Sequence, residues 1–323
     1  MITSIVIQPG LYFSPDFDLN QFCGQETKAG SQKLDRSLFY INHHLKSNFI
    51  CLDTVDPSFF VDVIQGYYCQ FNTSINSKNI ELEIIARRYQ ANNGRRYFNR
   101  GVDSLGNTAN FVEVNLSMTF DKNIYSFVIV RGTIPIHFTQ NPVLFGTAKL
   151  IAERDFTSNV EDILKHLKIL KSEYGEKVTL INLISPEYKD VLVYDAYERA
   201  MNRVKIIDSN IKFVDFDFHK ICKNSQFKNI AILMDQLEPI IEDNRFTLTD
   251  SKGNNSFFQT GVLRVNCVDS LDRTGVIVSA VINTMLQKWL TTIGVLNENQ
   301  NFPSWFESKL NNSIFLDLSI LSF

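Results

Sequence analysis

The stretch Gly261-Val-Leu-Arg-Val-Asn-Cys267-Val-Asp-Ser-Leu-Asp-Arg273-Thr-Gly-Val276 restricts the fold more than any other. Val262, Leu263 and Val265 lead up to the cysteine as a short apolar strand would. After Thr274, the residues Val276, Ile277, Ala280, Val281 and Met285 recur at helical spacing and predict a helix. A tight loop joins the two, opening on Cys267 and closing on Arg273. A strand that turns straight into a helix belongs to α/β architectures, where such loops lie at the carboxyl ends of strands.

That loop has the parts of an anion site. Loop amides, here those near Ser270, Leu271 and Gly275, and the positive end of the following helix attract negative charge. The same field would favour thiolate over thiol at Cys267, as a nucleophile needs at neutral pH. Arg273 offers a planar fork that grips two phosphate oxygens and follows the charge into the transition state. Thr274 can hydrogen-bond the sulfur as it leaves. Departure of an alcohol oxygen needs a proton, and Asp269 and Asp272 are both candidates for the general acid; the residues alone do not choose between them. His219, beside an apolar strand, is a further candidate, against which stands the reading of a satisfied structural histidine. The competing reading of the loop is a buried free cysteine near a surface arginine. It explains the cysteine but leaves two aspartates inside a strand-to-helix turn unexplained.

With 323 residues, 44% of them hydrophobic and 21% charged, the chain can build one large or two smaller cores. A net charge of −3 and a pI near 6.0 argue against bulk nucleic-acid binding, so any anionic partner must meet a local basic patch. The cysteines, Cys23, Cys51, Cys69, Cys222 and Cys267, are odd in number and scattered, which predicts a reducing compartment without a disulfide framework. No cluster has metal-ligand spacing, and no metal or cofactor is expected. Ile2 to Ile7 is too short for a signal peptide, and no run of about 18 apolar residues predicts a membrane span.

Along the chain, a strand is predicted near Ile5–Phe13 and a helix over Leu34–Leu45. Asn79 to Phe138 reads as an antiparallel meander: Ile80–Tyr89, Arg95–Val102, Val112–Phe120 with strict alternation that predicts one solvated face, and Ile124–Arg131 after the turn at Asp121 to Asn123. Ser158 to Glu161 reads as a capping box opening a helix that ends at Gly175. Then follow a buried strand at Val178–Ile184, a helix over Glu187–Val204, a strand at Ile211–Phe218, a helix over Asn229–Leu237 stopped near Pro239, and a strand at Phe257–Val265. The expected class is α/β with α+β elements: a mixed sheet flanked by helices, an antiparallel meander, and the Cys-x5-Arg loop between strand and helix. The tail after Leu290 is loosely patterned and reads as peripheral. Arg87, Arg88, Arg95, Arg96 and Arg100 fall on one predicted hairpin; their charge pattern alone suits a solvated hairpin.

Arg264 to Thr274 resembles the signature of the Sac-domain phosphoinositide phosphatases, close to R-T-N-C-x-D-C-L-D-R-T-N. It departs at Val265, Ser270 and Gly275. Ala86 to Glu113 is similar to a second block of that family, with Val114-Asn-Leu116 replacing T-E-Q. Ser126 to Gln140 and Asp215 to His219 resemble two more, so the likeness runs from about Tyr12 to Leu290. Tyr12 to Leu19 resembles the handover from the family's N-terminal subdomain, which implies a remnant of it over 1–50, a catalytic domain over 51–290 and a tail over 291–323. The resemblance implies hydrolysis of a phosphatidylinositol monophosphate, foremost phosphatidylinositol 4-phosphate, through a phosphocysteine on Cys267. It turns Arg95, Arg96 and Arg100 into a cationic wall for the headgroup or an acidic membrane surface, with Ser270, Leu271, Gly275 and His219 also on the substrate side. It also implies a cytoplasmic protein peripheral to endomembranes such as endoplasmic reticulum or Golgi, with a protein partner as a possible anchor. A phosphoprotein phosphatase would share the loop but leaves the arginine block unexplained. A weakly catalytic phosphoinositide-binding scaffold would suit Gly275 and the lost T-E-Q. A cysteine protease would have no use for Arg273.

Overall fold

The computed structural model describes residues 10–14, 18–20, 35–50, 56, 60–92, 100–140, 150–152, 155–187, 190–298 and 300–310. The first half supplies β1 (Leu11–Phe13), a 3-10 turn (Arg36–Phe39), α1 (His43–Ile50), β2 (Val63–Ile75), β3 (Lys78–Arg88), β4 (Val112–Phe120) and β5 (Asn123–Thr133). The middle adds β6 (Phe138–Gln140), β7 (Leu150–Ala152), α2 (Phe156–Tyr174), β8 (Lys177–Asn182), α3 (Val191–Ile207) and β9 (Ile211–Asp215). The last part holds α4 (Phe218–Ile221), α5 (Ile230–Asn244), β10 (Thr247–Thr249), β11 (Asn255–Phe257), β12 (Gly261–Cys267) and α6 (Asp272–Thr292).

One mixed sheet organises them in the order β1-β2-β3-β4-β5-β12-β8-β9, with β10 on β5 and β11 on β10. The β1 to β5 half is an antiparallel meander. Its two hairpins turn on Asn76-Ser77 and Asp121-Lys122, with positive φ at both central residues of each. That is the turn whose twist matches the flanking strands. The β5-β12-β8-β9 half is parallel. Arg264 and Asn266 of β12 reach α2 and α3 respectively, while α6 packs on β12 and β5 with α5 beside it. This is the expected mixed α/β fold. Among the described residues no helix is long and apolar enough to cross a membrane.

Local readings differ where tertiary contacts intervene. The helix over Leu34–Leu45 is replaced by the 3-10 turn and α1, parted at Tyr40, which is extended and bridges Ile64. β3 pairs directly with β4; most of the expected Arg95–Val102 strand lies outside the described residues, and Val102 forms one bridge to Thr108. β4 has no solvated face, because Glu113, Asn115 and Ser117 are buried as well. α2 is capped by Asp155, whose carboxylate accepts the Ser158 amide at 2.8 Å, ahead of the expected capping box. α5 runs through Pro239 to Asn244. Past Leu290, Val295, Leu296, Phe306 and Leu310 are buried in the core rather than peripheral.

Strand direction fixes where a site can form. The carboxyl ends of β5, β12, β8 and β9 share one edge of the sheet. Antiparallel pairing brings to that edge the start of β4, the end of β3, the start of β2 and the end of β1.

Candidate active site

Cys267 is the last residue of β12, opposite Thr133 of β5. The chain then turns within four residues into α6. Ser270 takes a left-handed conformation, φ 59°, to make that turn. The Cys267 Sγ accepts the Ser270 amide at 3.1 Å and lies 3.3 Å from Asp269 Oδ1. Asp269 Oδ1 also accepts the Leu271 amide at 3.3 Å. Ser270 Oγ is buried inside the loop and has no hydrogen-bond partner among the described residues. Gly275 donates its amide to the Leu271 carbonyl at 3.2 Å, closing the first turn of α6.

The loop hangs on side chains from the neighbouring strands. Arg131 of β5 donates to the carbonyls of Ser270 at 3.1 Å and Leu271 at 3.2 Å. Asn110 donates to the Asp269 carbonyl at 3.1 Å and accepts from Arg88 at 2.7 Å. With its carbonyls engaged outward, the loop turns amides such as that of Ser270 toward the sulfur. Behind Cys267, the buried Arg264 donates to His166 Nε2 at 3.2 Å, to Thr108 Oγ1 at 3.2 Å and to the Thr133 carbonyl. His166 donates from Nδ1 to the Gly106 carbonyl at 2.9 Å; burial and Arg264 hold its pKa down at about 3, so it is neutral. Burial lowers Arg264 to about 10, still charged at neutral pH. Asn266, Asn182 and Asp215 form a hydrogen-bonded row across the ends of β12, β8 and β9, at 2.8 Å for each step.

The electrostatics run against one expectation. Burial and the neighbouring Asp269 push the Cys267 thiol up to about 11, outweighing Arg273 and the Asp269 and Ser270 amides. The resting sulfur is a thiol with Asp269 at its side. Arg273, the second residue of α6, reaches the Leu183 carbonyl at 3.4 Å and Asp190 at 3.7 Å. Burial disfavours its charge, but Cys267, Asp190 and Asp269 outweigh that and hold the guanidinium above its ordinary pKa. Asp190 faces the cation with Oδ2, and its Oδ1 is buried without a hydrogen-bond partner among the described residues.

The two candidate acids separate. Asp269 touches the sulfur, whereas Asp272 is exposed in the first turn of α6, where its charge suits the helix end. Thr274 is buried, donating to the Leu271 carbonyl at 3.1 Å and accepting from Arg131 at 3.5 Å; in this arrangement it serves the loop and not the sulfur. Leu271 is buried beneath the loop. Arg95 and Arg96 lie outside the described residues. Arg100 is buried and donates to Gln140 at 3.0 Å, and Arg87 is fully buried against Glu113, so neither stands on an exposed cationic wall. His219 is exposed on α4, past the end of β9 rather than on a strand.

Arg131, Asn110, Arg264 and Asp190 went unassigned by sequence reasoning. A signal existed for two of them: Arg131 and Arg264 each interrupt an otherwise apolar strand, where a charge persists only with a buried task.

Residues 1–223 match the SacI homology domain. The chain is 31% identical over 307 residues to phosphatidylinositol-3-phosphatase SAC1-A of Danio rerio, covering 93% of this chain and 52% of that protein. It is 30% identical over 303 residues to phosphoinositide phosphatase SAC7 of Arabidopsis thaliana, covering 91% and 50%. To phosphatidylinositol-3-phosphatase SAC1 of Saccharomyces cerevisiae it is 32% identical over 296 residues, covering 86% and 46%. The chain thus spans about half the length of the curated relatives it matches. An alignment over 93% of the chain necessarily takes in the loop at Cys267. On its fold, its loop and these likenesses together, the chain belongs to the SacI homology domain family.

Proposed function

We propose that this chain hydrolyses a phosphatidylinositol monophosphate through a phosphocysteine intermediate on Cys267. The observation that carries the reading is the sulfur at a parallel strand's carboxyl end, 3.1 Å from the Ser270 amide and 3.3 Å from Asp269, with Arg273 following as the second residue of α6. An arriving phosphate dianion gives Arg273 a better partner than Asp190 at 3.7 Å. The loop amides and the unpartnered Ser270 hydroxyl are the remaining donors for its oxygens.

Proton movement follows the contacts. As the S–P bond forms, the thiol proton passes from Sγ to Asp269. As the P–O bond to inositol breaks, Asp269 returns that proton to the leaving oxygen. Water then attacks phosphorus, its proton goes to Asp269, and the S–P bond breaks to release phosphate; the proton finally returns to sulfur. The carboxylate 3.3 Å from the sulfur is placed to receive the thiol proton.

The 4-phosphate is the substrate we favour; two of the relatives above are named as 3-phosphatases, so the 3-phosphate is its competitor. Phosphate release from a panel of phosphoinositides, with Cys267→Ser as control, tests the reading. Release from a monophosphate and none from the variant is expected. Release from phosphopeptides alone would make it a phosphoprotein phosphatase, and binding without turnover would make it a scaffold.

A further inference from the structure

The edge of the sheet that bears Cys267 also carries a row of exposed apolar side chains. Leu45 and Phe49 stand one helical turn apart on α1, and Ile41 lies in the turn just before it. They are 62%, 42% and 43% exposed. Phe13 at the end of β1 and Val61 just before β2 are exposed beside them. Both strands reach the Cys267 edge at these ends, because β1 and β2 are antiparallel and β2 enters the meander from that side.

The opposite flank of the same edge has a different chemistry. Beyond β9, the exposed Phe227 lies between Lys223 and Lys228, which are exposed and make no ion pair among the described residues. Leu192, at the start of α3, is exposed on that flank too. The loop therefore sits between an apolar flank and an apolar-basic one. From β2 to β12 is four ladder steps, about 20 Å at the usual strand spacing.

We infer that this edge is a bilayer-docking surface: the α1 row enters the acyl boundary of an anionic membrane while Lys223 and Lys228 meet its headgroups. The inference rests on the lipid-phosphatase reading, which requires Cys267 to face a membrane. A bilayer is planar, and only groups along one edge of the sheet can touch it together with the loop. Basic residues on that edge complement an anionic surface despite the net charge of −3. Arg87 and Arg100 of the arginine block are buried and take no part in this surface.

The test is sedimentation of the full chain with vesicles of phosphatidylcholine and phosphatidylserine that contain no phosphoinositide. The intact chain should partition to them. Leu45→Ser with Phe49→Ser should weaken partitioning about tenfold or more, as expected for withdrawing two inserted side chains. Lys223→Glu with Lys228→Glu should weaken it at low salt and converge with the parent at high salt. Ile206→Ser with Ile207→Ser, exposed at the opposite edge, should bind as the parent does. Circular dichroism should be unchanged throughout, these positions being exposed. No partitioning by the parent, or equal partitioning by the α1 variant, would overturn the inference. So would a dimer in chromatography that the α1 variant splits while vesicle binding persists, which would give the face to a second copy. Turnover of a short-chain, monomeric phosphoinositide should be the same in the α1 variant and the parent. If the parent fails to turn it over, the phosphatase reading falls while the vesicle result still stands.

Discussion

Cys267 and Asp269 form a pair whose members should respond to mutation in opposite senses. Burial is the larger cause of the raised thiol pKa, and Asp269 is the next. Asp269→Asn should therefore lower the thiol pKa and speed alkylation of Cys267 by iodoacetamide at neutral pH. The same variant should lose about a hundredfold or more in phosphate release, the usual worth of a general acid. Faster alkylation with full turnover would leave Asp269 as a mere neighbour and move the acid role elsewhere. In the parent, alkylation should climb with pH until near 11, where the thiol ionises. Arg273→Ala should cost about two to three orders of magnitude in turnover, because one charge partner of the transition state is lost; an unaffected rate would refute its role. The strand-to-helix loop from Cys267 to Arg273 was legible from sequence because spacing is local. The thiol's resting state was not, because burial and the approach of Asp269 are consequences of packing.

Between β12 and α6, the loop's shape depends on elements far away in the chain. Arg131 of β5 holds two loop carbonyls, so Arg131→Met should fill the space yet leave those carbonyls unpaired. A loss of about 1–3 kcal/mol in urea unfolding is expected. Turnover should fall through kcat, with alkylation of Cys267 also altered. A variant that loses stability but keeps kcat and its alkylation profile would reduce Arg131 to scaffolding. Gly132, next in β5, is needed for the same assembly, since a Cβ there would come within 2.8 Å of Arg264 Nη2. Element reading succeeded where a pattern is autonomous, as in α2 and α6 with their apolar stripes and in the Asp121-Lys122 hairpin. It failed at Pro239, where a proline costs about 3 kcal/mol in a helix interior. Leu233, Leu237, Ile240 and Ile241 are buried on both sides of it and together outweigh that cost. It also left β2 unread, a long strand whose Gly66 fits only because its α-hydrogen faces the Ala86 carbonyl of β3.

Across the whole molecule, buried charge sets the acid limit of stability. Glu113 is fully buried between Arg36 and Arg87 and accepts from Tyr174 at 2.6 Å. Burial alone would raise its pKa, but the two arginines outweigh that and depress it from 4.5 to about 2. The stabilisation is thus complete above about 4.5 and is lost as pH falls toward 2. His166, depressed from 6.5 to about 3, acts in the same sense over a higher window, because it must stay neutral beside Arg264. Urea midpoints should therefore decline from about pH 6.5 downward, with the steepest loss below 4.5. Glu113→Gln should remove the lower part of that decline and cost about 3–5 kcal/mol at neutral pH, since it takes the carboxylate from the buried Arg87, while Arg36 keeps Glu173. A parent midpoint flat across this range would contradict the assignment. By itself the sequence determined the strand-loop-helix unit that runs from Cys267 to Arg273 and the change from meander to parallel sheet. Each of these is written in spacing and period over a few residues. Only the tertiary structure decided which aspartate meets the sulfur, that the arginines of β3 and β5 turn inward, and that α1 shares an edge with Cys267. The first depends on the turn that Arg131 holds from 139 positions away, and the others on strand order and direction, none of which leaves a local period to read.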